Sequence, residues 1–421
     1  MKRNRVALAA AALLAAFVFS ARAESPVDFD QGKADAKQAL GQAREQASQS
    51  PAAPADALGL QATAPDQVKR RIVVFKKGTS RERQLSLAQA GGGIVTHKLW
   101  LINAVAIVVP QAQLVSVEQA FSALPEVERV SEDFVQNWLA QEAPSEPGSQ
   151  AQRVPWGIAR VNAKGAWPIT RGKGVKVAVV DTGIDHSHPD LKTAGGFNVI
   201  THDDNYMDDQ GHGTHVSGTI AALDNGEGVV GVAPDVTLYG VKVLDAQGSG
   251  TFASVVEGIQ WTVEHKMDVA NFSLGASQGS PELEAAIQAA AKAGVAIVCA
   301  AGNSGGSVGY PAAYDDVIAI SASSSKDKLA YFSSRGPQVD LIAPGVSIDS
   351  TYMGGGYDTL DGTSMACPHA AGLAALAVAQ GAHGVQAVKA ALQKAAKPLA
   401  GLTSDQQGAG MVDAAKLVGR E

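Results

Sequence analysis

The chain has 421 residues, too many for one ordinary domain and enough for two, or for one large core with processing segments. Apolar residues make up 46% and charged residues 18%, which excludes a mainly disordered chain, and 45 glycines without a repeating period exclude collagen. The formal charge is −7, with the acidic excess in the part after residue 150, which argues against a nucleic-acid surface and suits a soluble protein or cation sites.

Lys2, Arg3 and Arg5 precede an apolar stretch from Val6 to Phe19, and Ala21-Arg22-Ala23 forms an A-x-A cleavage site. The stretch is short for a spanning helix, so residues 1–23 are expected to be a secretory signal peptide; an uncleaved anchor is the alternative. No later run is long and apolar enough to span a bilayer. The expected location is outside the cytoplasm, extracellular or periplasmic. Residues 24–68 are rich in Ala, Gln and Pro and are read as a disordered linker.

The next stretch is orderly. Strands are predicted at 71–75, 94–100, 104–109 and 127–134, and helices at 79–92 and 113–124. This order is the split β-α-β-β-α-β unit, a small ferredoxin-like α+β domain over 69–139. Residues 140–150, with Pro, Gly, Ser and Glu, read as a second linker. From 151 to 421 continuous apolar strands are predicted at 175–180, 236–244, 268–274, 295–300 and 317–321, with helical stretches such as 281–293 between several of them. Strands of this kind belong to a mostly parallel sheet with helices on both faces, an α/β fold whose chemistry lies at the carboxyl ends of the strands.

Three segments put polar residues at such ends. DTGID places Asp181 directly after a strand, GHGTHVSGT places His212 in a glycine turn opening a helix, and GTSMACPHAAG places Ser364 where a loop enters an Ala-rich helix. A serine hydroxyl is a poor nucleophile until a base takes its proton, and a carboxylate orients and stabilises that imidazole. Asn303, in CAAGNSG just past a buried strand, can offer a side-chain amide to an oxyanion together with the Ser364 backbone N–H; an ordinary turn residue is the alternative.

VAVVDTGIDHSHPDL, GHGTHVSGT, NFSLGAS, AAGNSG and GTSMACPHAAG together closely resemble the subtilisin family of serine endopeptidases. AQRVPWGI (151–158) resembles the start of a mature bacterial subtilisin, and GAGMVDAAKLV (408–418) the end of its catalytic domain. Residues 69–139 resemble the subtilisin propeptide, an intramolecular chaperone and temporary inhibitor. The resemblance implies an endopeptidase of broad specificity, monomeric, acting on polypeptides and matured by removing its own propeptide. It makes Asp181 the orienting acid, His212 the general base and acid, Ser364 the nucleophile and Asn303 the oxyanion donor, and leaves His215 structural.

The family's binding edges correspond to Gly248-Ser249-Gly250 and Ser273-Leu274-Gly275, which would pair with an extended peptide by strand addition. Phe252 and Val255 would line an outer apolar pocket. The primary pocket would have Ser273, Leu274 and Gly275 on one wall, Ala300, Ala301 and Gly302 on the other, and Gly309 towards its far end, suiting a large apolar or aromatic residue before the cut bond. Ser304 stands near its rim, where some relatives carry an acidic residue. By the same resemblance a structural calcium ion would be held by the side chains of Gln152, Asp190 and Asn225 and the carbonyls of Leu223, Glu227 and Val229. A weaker cation site would involve Asp340, with carbonyls near Ala312, Tyr314 and Val317.

Other readings are weaker. GASQG (275–279) and GNSGG (302–306) fit the G-x-S-x-G elbow of another α/β esterase fold, but GTSMACPH would then go unexplained. His186, His188, His212 and His215 lack a zinc-protease spacing, and no phosphate-binding glycine motif occurs. A non-catalytic binding pseudoenzyme would be expected to have lost a triad member. The acidic run 201–210 reads as a solvated loop in preference to a further cation site. Cys299 and Cys367 read as buried small hydrophobes in preference to a disulfide.

Overall fold

The computed structural model describes residues 68–139 and 151–420, all within one compact unit, Thr63–Glu421. The expected signal peptide (1–23), the expected linker 24–68 apart from Val68, and the expected linker 140–150 lie outside the described residues.

Residues 68–139 build a sheet and two helices from β1 (Val68–Phe75), α1 (Arg81–Ala90), β2 (Ile94–Leu99), β3 (Ala104–Pro110), α2 (Leu114–Ser122) and β4 (Val127–Glu132). The strand order is β2-β3-β1-β4 and every pairing is antiparallel. Period-two alternation divides β1 between two cores. Val73 and Phe75 pack with Leu87 and Phe121 under the helices, while Ile72 and Val74 join a second core shared with the larger domain. A short strand β5 (Val135–Asn137) then leaves this sheet.

The larger domain contains β6 (Lys176–Asp181), β7 (Thr193–Asn198), α3 (His212–Ala221), β8 (Thr237–Lys242), β9 (Ser249–Thr251), α4 (Phe252–Glu264) and β10 (Val269–Phe272). It continues through α5 (Pro281–Lys292), β11 (Ala296–Ala300), β12 (Ile318–Ser323), β13 (Leu341–Pro344), the hairpin β14 (Ile348–Tyr352) and β15 (Gly356–Leu360), α6 (Thr363–Ala379) and α7 (Gly384–Ala395). Seven strands form one fully parallel sheet in the order β13-β12-β11-β10-β6-β8-β7. Both faces are buried. Val177 and Val179 share a core with Val216 and Leu376 of α3 and α6, whereas Ala178 and Val180 share one with Val255 and Ile287 of α4 and α5.

β7 and β13, absent from the sequence expectation, are the two edge strands. TAGGFN carries two glycines and LIAP is four residues long, so neither shows the continuous apolar run of a central strand. The α5 boundaries follow their local signals: Ser280 accepts from the Leu283 N–H at 3.1 Å, Pro281 opens the helix, and Lys292 lies in its last turn.

Polar contacts hold the small sheet against α4 and α5. Gln260 accepts from the Leu101 N–H at 2.9 Å, and the Asp133 carboxylate accepts from the Ala253 N–H at 2.9 Å in the first turn of α4. The buried Glu282 carboxylate receives Arg129 at 2.9 Å and Ser131 at 2.8 Å.

Candidate active site

Asp181 is the last residue of β6 and fully buried. Its Oδ1 lies 2.7 Å from His212 Nδ1, at the first position of α3. A carboxylate acceptor on Nδ1 fixes the tautomer that leaves the Nε2 lone pair available as a base. The glycines around His212 have different tasks. Gly211 adopts a φ of 107°, and Gly213 lets α3 begin against the Gly183 carbonyl, where a Cβ would collide.

The acidic run 201–210, read from sequence as a solvated loop, instead supplies the support beneath this pair. Asp208 is buried and accepts from the Gly211 N–H (2.9 Å), Thr214 N–H (2.9 Å), Thr214 Oγ1 (2.6 Å) and Thr182 Oγ1 (2.9 Å). It therefore ties the start of α3 to the residue after Asp181. Asp209 pairs at 2.6 Å with the buried Lys242 ammonium, which also donates to the carbonyls of Thr182 (2.7 Å) and Leu244 (2.9 Å). Neither residue carried a motif; the only signal was acidic density just before the histidine.

Ser364 is the second residue of α6, where backbone N–H groups have no partner within the helix. Pro368 stands four residues on and cannot donate to the Ser364 carbonyl. That carbonyl instead accepts from Ser273 Oγ at 2.8 Å, while Ser364 Oγ donates to the Ser273 carbonyl at 3.1 Å. The serine is thus clamped to the end of β10. Asn303 Oδ1 accepts from the Thr363 N–H (2.8 Å) and hydroxyl (2.7 Å), which leaves its amide N–H₂ as the remaining donor beside Ser364.

A cleft of about 540 Å³ opens here, lined among others by Leu274, Gly275, Ala300, Gly302, Gly309, Asn303 and Ser364. Ser273 and Ala301, expected as pocket walls, are fully buried behind it. A Cβ on Gly309 would stand 2.9 Å from the Ala276 carbonyl oxygen, so this glycine also sets wall spacing. Val255 is fully buried and Phe252 nearly so.

The chain's own 134–139 segment lies along the two edges expected from the sequence to bind substrate. β5 pairs antiparallel with β9, Trp138 N–H donates to the Gly248 carbonyl at 3.0 Å, and Gly275 N–H donates to the Trp138 carbonyl at 3.0 Å. The Trp138 ring lies edge-on to Phe252 at 4.9 Å, and its Nε1–H donates to the Gly250 carbonyl at 3.0 Å.

His215, His369, Cys299 and Cys367 are buried. His215 Nε2–H donates to the Ile348 carbonyl (2.9 Å) and burial pushes its pKa down to about 3; His369 is pushed down to about 4 in the same way. Cys299 and Cys367 are buried free thiols whose pKa values burial raises, so they remain protonated. Of the elbow-like serines, Ser304 bonds Ser334 at 3.1 Å, and neither it nor Ser277 bonds a histidine among the described residues.

The side chains expected to ligate calcium, Gln152, Asp190 and Asn225, lie in one hydrogen-bonded loop region. Asp190 Oδ1 lies 3.1 Å from Asn225 Nδ2, its Oδ2 accepts from the Val229 N–H at 2.9 Å, and Gln152 contacts the Gly226 N–H and Asp224. Leu223 N–H donates to the Asp190 carbonyl at 3.0 Å, and Glu227 N–H to Asn225 Oδ1 at 2.9 Å. Burial raises the Asp190 carboxyl to about 6. Asp340 differs, because Lys389 Nζ at 3.0 Å already supplies its counter-charge.

A family model described as the subtilase family matches residues 172–410. A thermostable alkaline protease of Halalkalibacterium halodurans is 51% identical over 228 residues, covering 54% of this chain and 63% of that relative, just under two thirds of it. Subtilisin E of Bacillus subtilis is 42% identical over 318 residues, covering 73% of this chain and 80% of that protein. M-protease of Shouchella clausii is 50% identical over 237 residues, covering 56% and 62%. With a model spanning more than half of its length and an active-site cleft at the carboxyl ends of a parallel sheet, the chain belongs to the subtilase family of serine endopeptidases.

Proposed function

We propose that this protein is a secreted, calcium-stabilised endopeptidase that cuts extended polypeptides after large apolar or aromatic residues and is held inactive by its own residues 69–139 until they are removed. The observation that carries this reading is the 134–139 segment lying as an added strand along β9 and Gly275, in the cleft that also holds Ser364 and Asn303.

In the mechanism, His212 Nε2 takes the Ser364 Oγ proton as Oγ bonds to the substrate carbonyl carbon. The developing oxyanion accepts from the Asn303 amide and the Ser364 backbone N–H, donors already oriented before reaction. His212 then returns the proton to the leaving amine as the C–N bond breaks, and water hydrolyses the acyl-enzyme by the same route. Asp181 holds the tautomer and stabilises the imidazolium. Strand addition uses main-chain bonds, which explains breadth of sequence, while the glycine- and alanine-lined pocket selects an apolar residue at the cut.

Gln152, Asp190 and Asn225, with carbonyls of Leu223, Glu227 and Val229, would hold calcium, an oxygen set that suits a hard cation. Bound there, the ion would supply positive charge to the buried Asp190 and pin the loop to residue 152. Secretion is supported by the n-region, apolar run and A-x-A site of residues 1–23.

The test is labelling by a fluorophosphonate, followed by peptide mapping, together with the fate of the precursor. Wild type should be labelled at Ser364 and should process itself; Ser364→Ala should do neither. Self-processing by purified Ser364→Ala would exclude autoproteolysis, and labelling at Ser277 or Ser304 would favour the esterase alternative.

A further inference from the structure

Away from the cleft, three lone-pair side chains meet at the seam between the small sheet and the larger domain. His97 lies on β2, His202 follows β7, and Glu257 lies on α4. One ligand atom from each falls within 4.8 Å of the other two. Glu257 Oε2 is buried and faces His202 Nε2 at 3.4 Å without accepting a hydrogen bond among the described residues. His97 Nε2 is 3.3 Å from Ser254 Oγ, on the turn of α4 preceding Glu257, and the two imidazole centroids are 5.5 Å apart.

We propose that His97, His202 and Glu257 form a binding site for a divalent transition-metal ion of the zinc type, bridging residues 68–139 to the larger domain. Two imidazoles and one carboxylate are a three-ligand set that zinc completes with water, whereas calcium asks for six or more oxygens. The site therefore differs in chemistry from the oxygen loop at 222–229. Arg70 and Lys98 add nearby positive charge, which the Glu257 carboxylate and Asp203 offset.

Because one ligand comes from residues 68–139 and two from the larger domain, the ion binds only while the two are associated. Mass action then links metal concentration to their separation: at a free ion concentration 100 times its Kd, separation becomes about 100-fold less favourable. This regulatory consequence rests on the reading of 69–139 as a removable inhibitor; the metal site itself does not.

The experiment uses the full-length Ser364→Ala chain, which keeps both ligand donors together. Titration with Zn²⁺ is followed by calorimetry and with Co²⁺ by visible absorption, in the presence of excess calcium. One ion per chain with four-coordinate cobalt bands is expected, lost in both His97→Ala and His202→Ala. His202 is 43% exposed at its side chain, so its removal leaves the fold intact and guards against a His97→Ala chain that fails to fold. No stoichiometric ion, or binding unchanged in either histidine variant, overturns the site. In a second arm the catalytically intact chain is allowed to cleave itself with Zn²⁺ or with a zinc-selective chelator, and retention of the cleaved segment is read by size exclusion. Equal retention overturns the bridging consequence, whereas a failure to cleave at all would count against the inhibitor reading and leave the metal titration standing.

Discussion

Trp138 is the largest single anchor of the 134–139 segment in the cleft, and replacing it with alanine should release most of the segment's hold. The residue is 2% exposed and follows a strand that pairs only with β9, so it is in water once the segment leaves. Truncating a buried tryptophan to alanine costs about 3–5 kcal/mol, cavity included. The edge-on Phe252 contact at 4.9 Å and the Nε1–H bond to Gly250 fall within that figure, while the main-chain bonds to Gly248 and Gly275 survive the substitution. At 1.4 kcal/mol per tenfold, the inhibition constant should rise by about two to three and a half powers of ten. Trp138→Phe keeps the ring contact and loses one neutral hydrogen bond, about 0.5–1.5 kcal/mol, so its effect should stay near tenfold or below. The assay supplies residues 24–139 in trans to the processed enzyme and follows hydrolysis of a peptide anilide. A folded Trp138→Ala segment that inhibits as well as wild type would refute the assignment of Trp138 as anchor.

Burial raises the Asp133 carboxyl from 3.8 to about 6. The associated state thus binds the proton more tightly, and the segment's hold weakens as pH rises between those values. Asp133→Asn should remove that loss, strengthening inhibition above pH 6 by roughly a hundredfold at most, a factor of ten per pKa unit; equal inhibition constants at pH 7 would contradict this. Chelating calcium should lower the unfolding temperature and speed autolysis, with Asp190→Ala reproducing part of the effect, and unchanged melting with EGTA would remove the 222–229 loop as an ion site. Among anilides Ala-Ala-Pro-X, Phe or Leu should give the highest kcat/KM, because an unpartnered cation is costly in a pocket whose rim carries Ser304 where an acid could stand. A clear preference for Arg would overturn the pocket assignment and leave the triad untouched. Activity should also fall in acid as His212 takes a proton and can no longer serve as base, so a profile peaking at acid pH would count against it.

The parts legible in sequence were those where one local rule dominates. Continuous apolar runs marked the five central strands, and Ser280-Pro281 marked the start of α5. The edge strands escaped for separate reasons: β7 carries two glycines and is part-exposed, whereas β13 is apolar and buried but only four residues long. Asp208 and Lys242 escaped for another reason: a charged side chain becomes a buried brace through partners distant in sequence, here Thr182 for one and Asp209 for the other. His97 had no motif at all, since its neighbours His202 and Glu257 belong to the other domain.

The parallel sheet carries a kinetic consequence. Val177 of β6 pairs with Leu238 on one side and Val269 on the other, so its hydrogen bonds form only after long loops close. Loop entropy is lost before such pairings return any stabilisation, which makes search, rather than final stability, the slow event. The antiparallel sheet of residues 68–132 joins nearer segments and offers Ile72, Val74, Leu99 and Ala106 as a ready apolar plate for α4 and α5. Those helices are the links from β9 to β10 and from β10 to β11. If they dock first, the remaining search would reduce to aligning strands whose connections are already in place, and a chain lacking this plate would be expected to linger as a compact intermediate with its central strands unpaired.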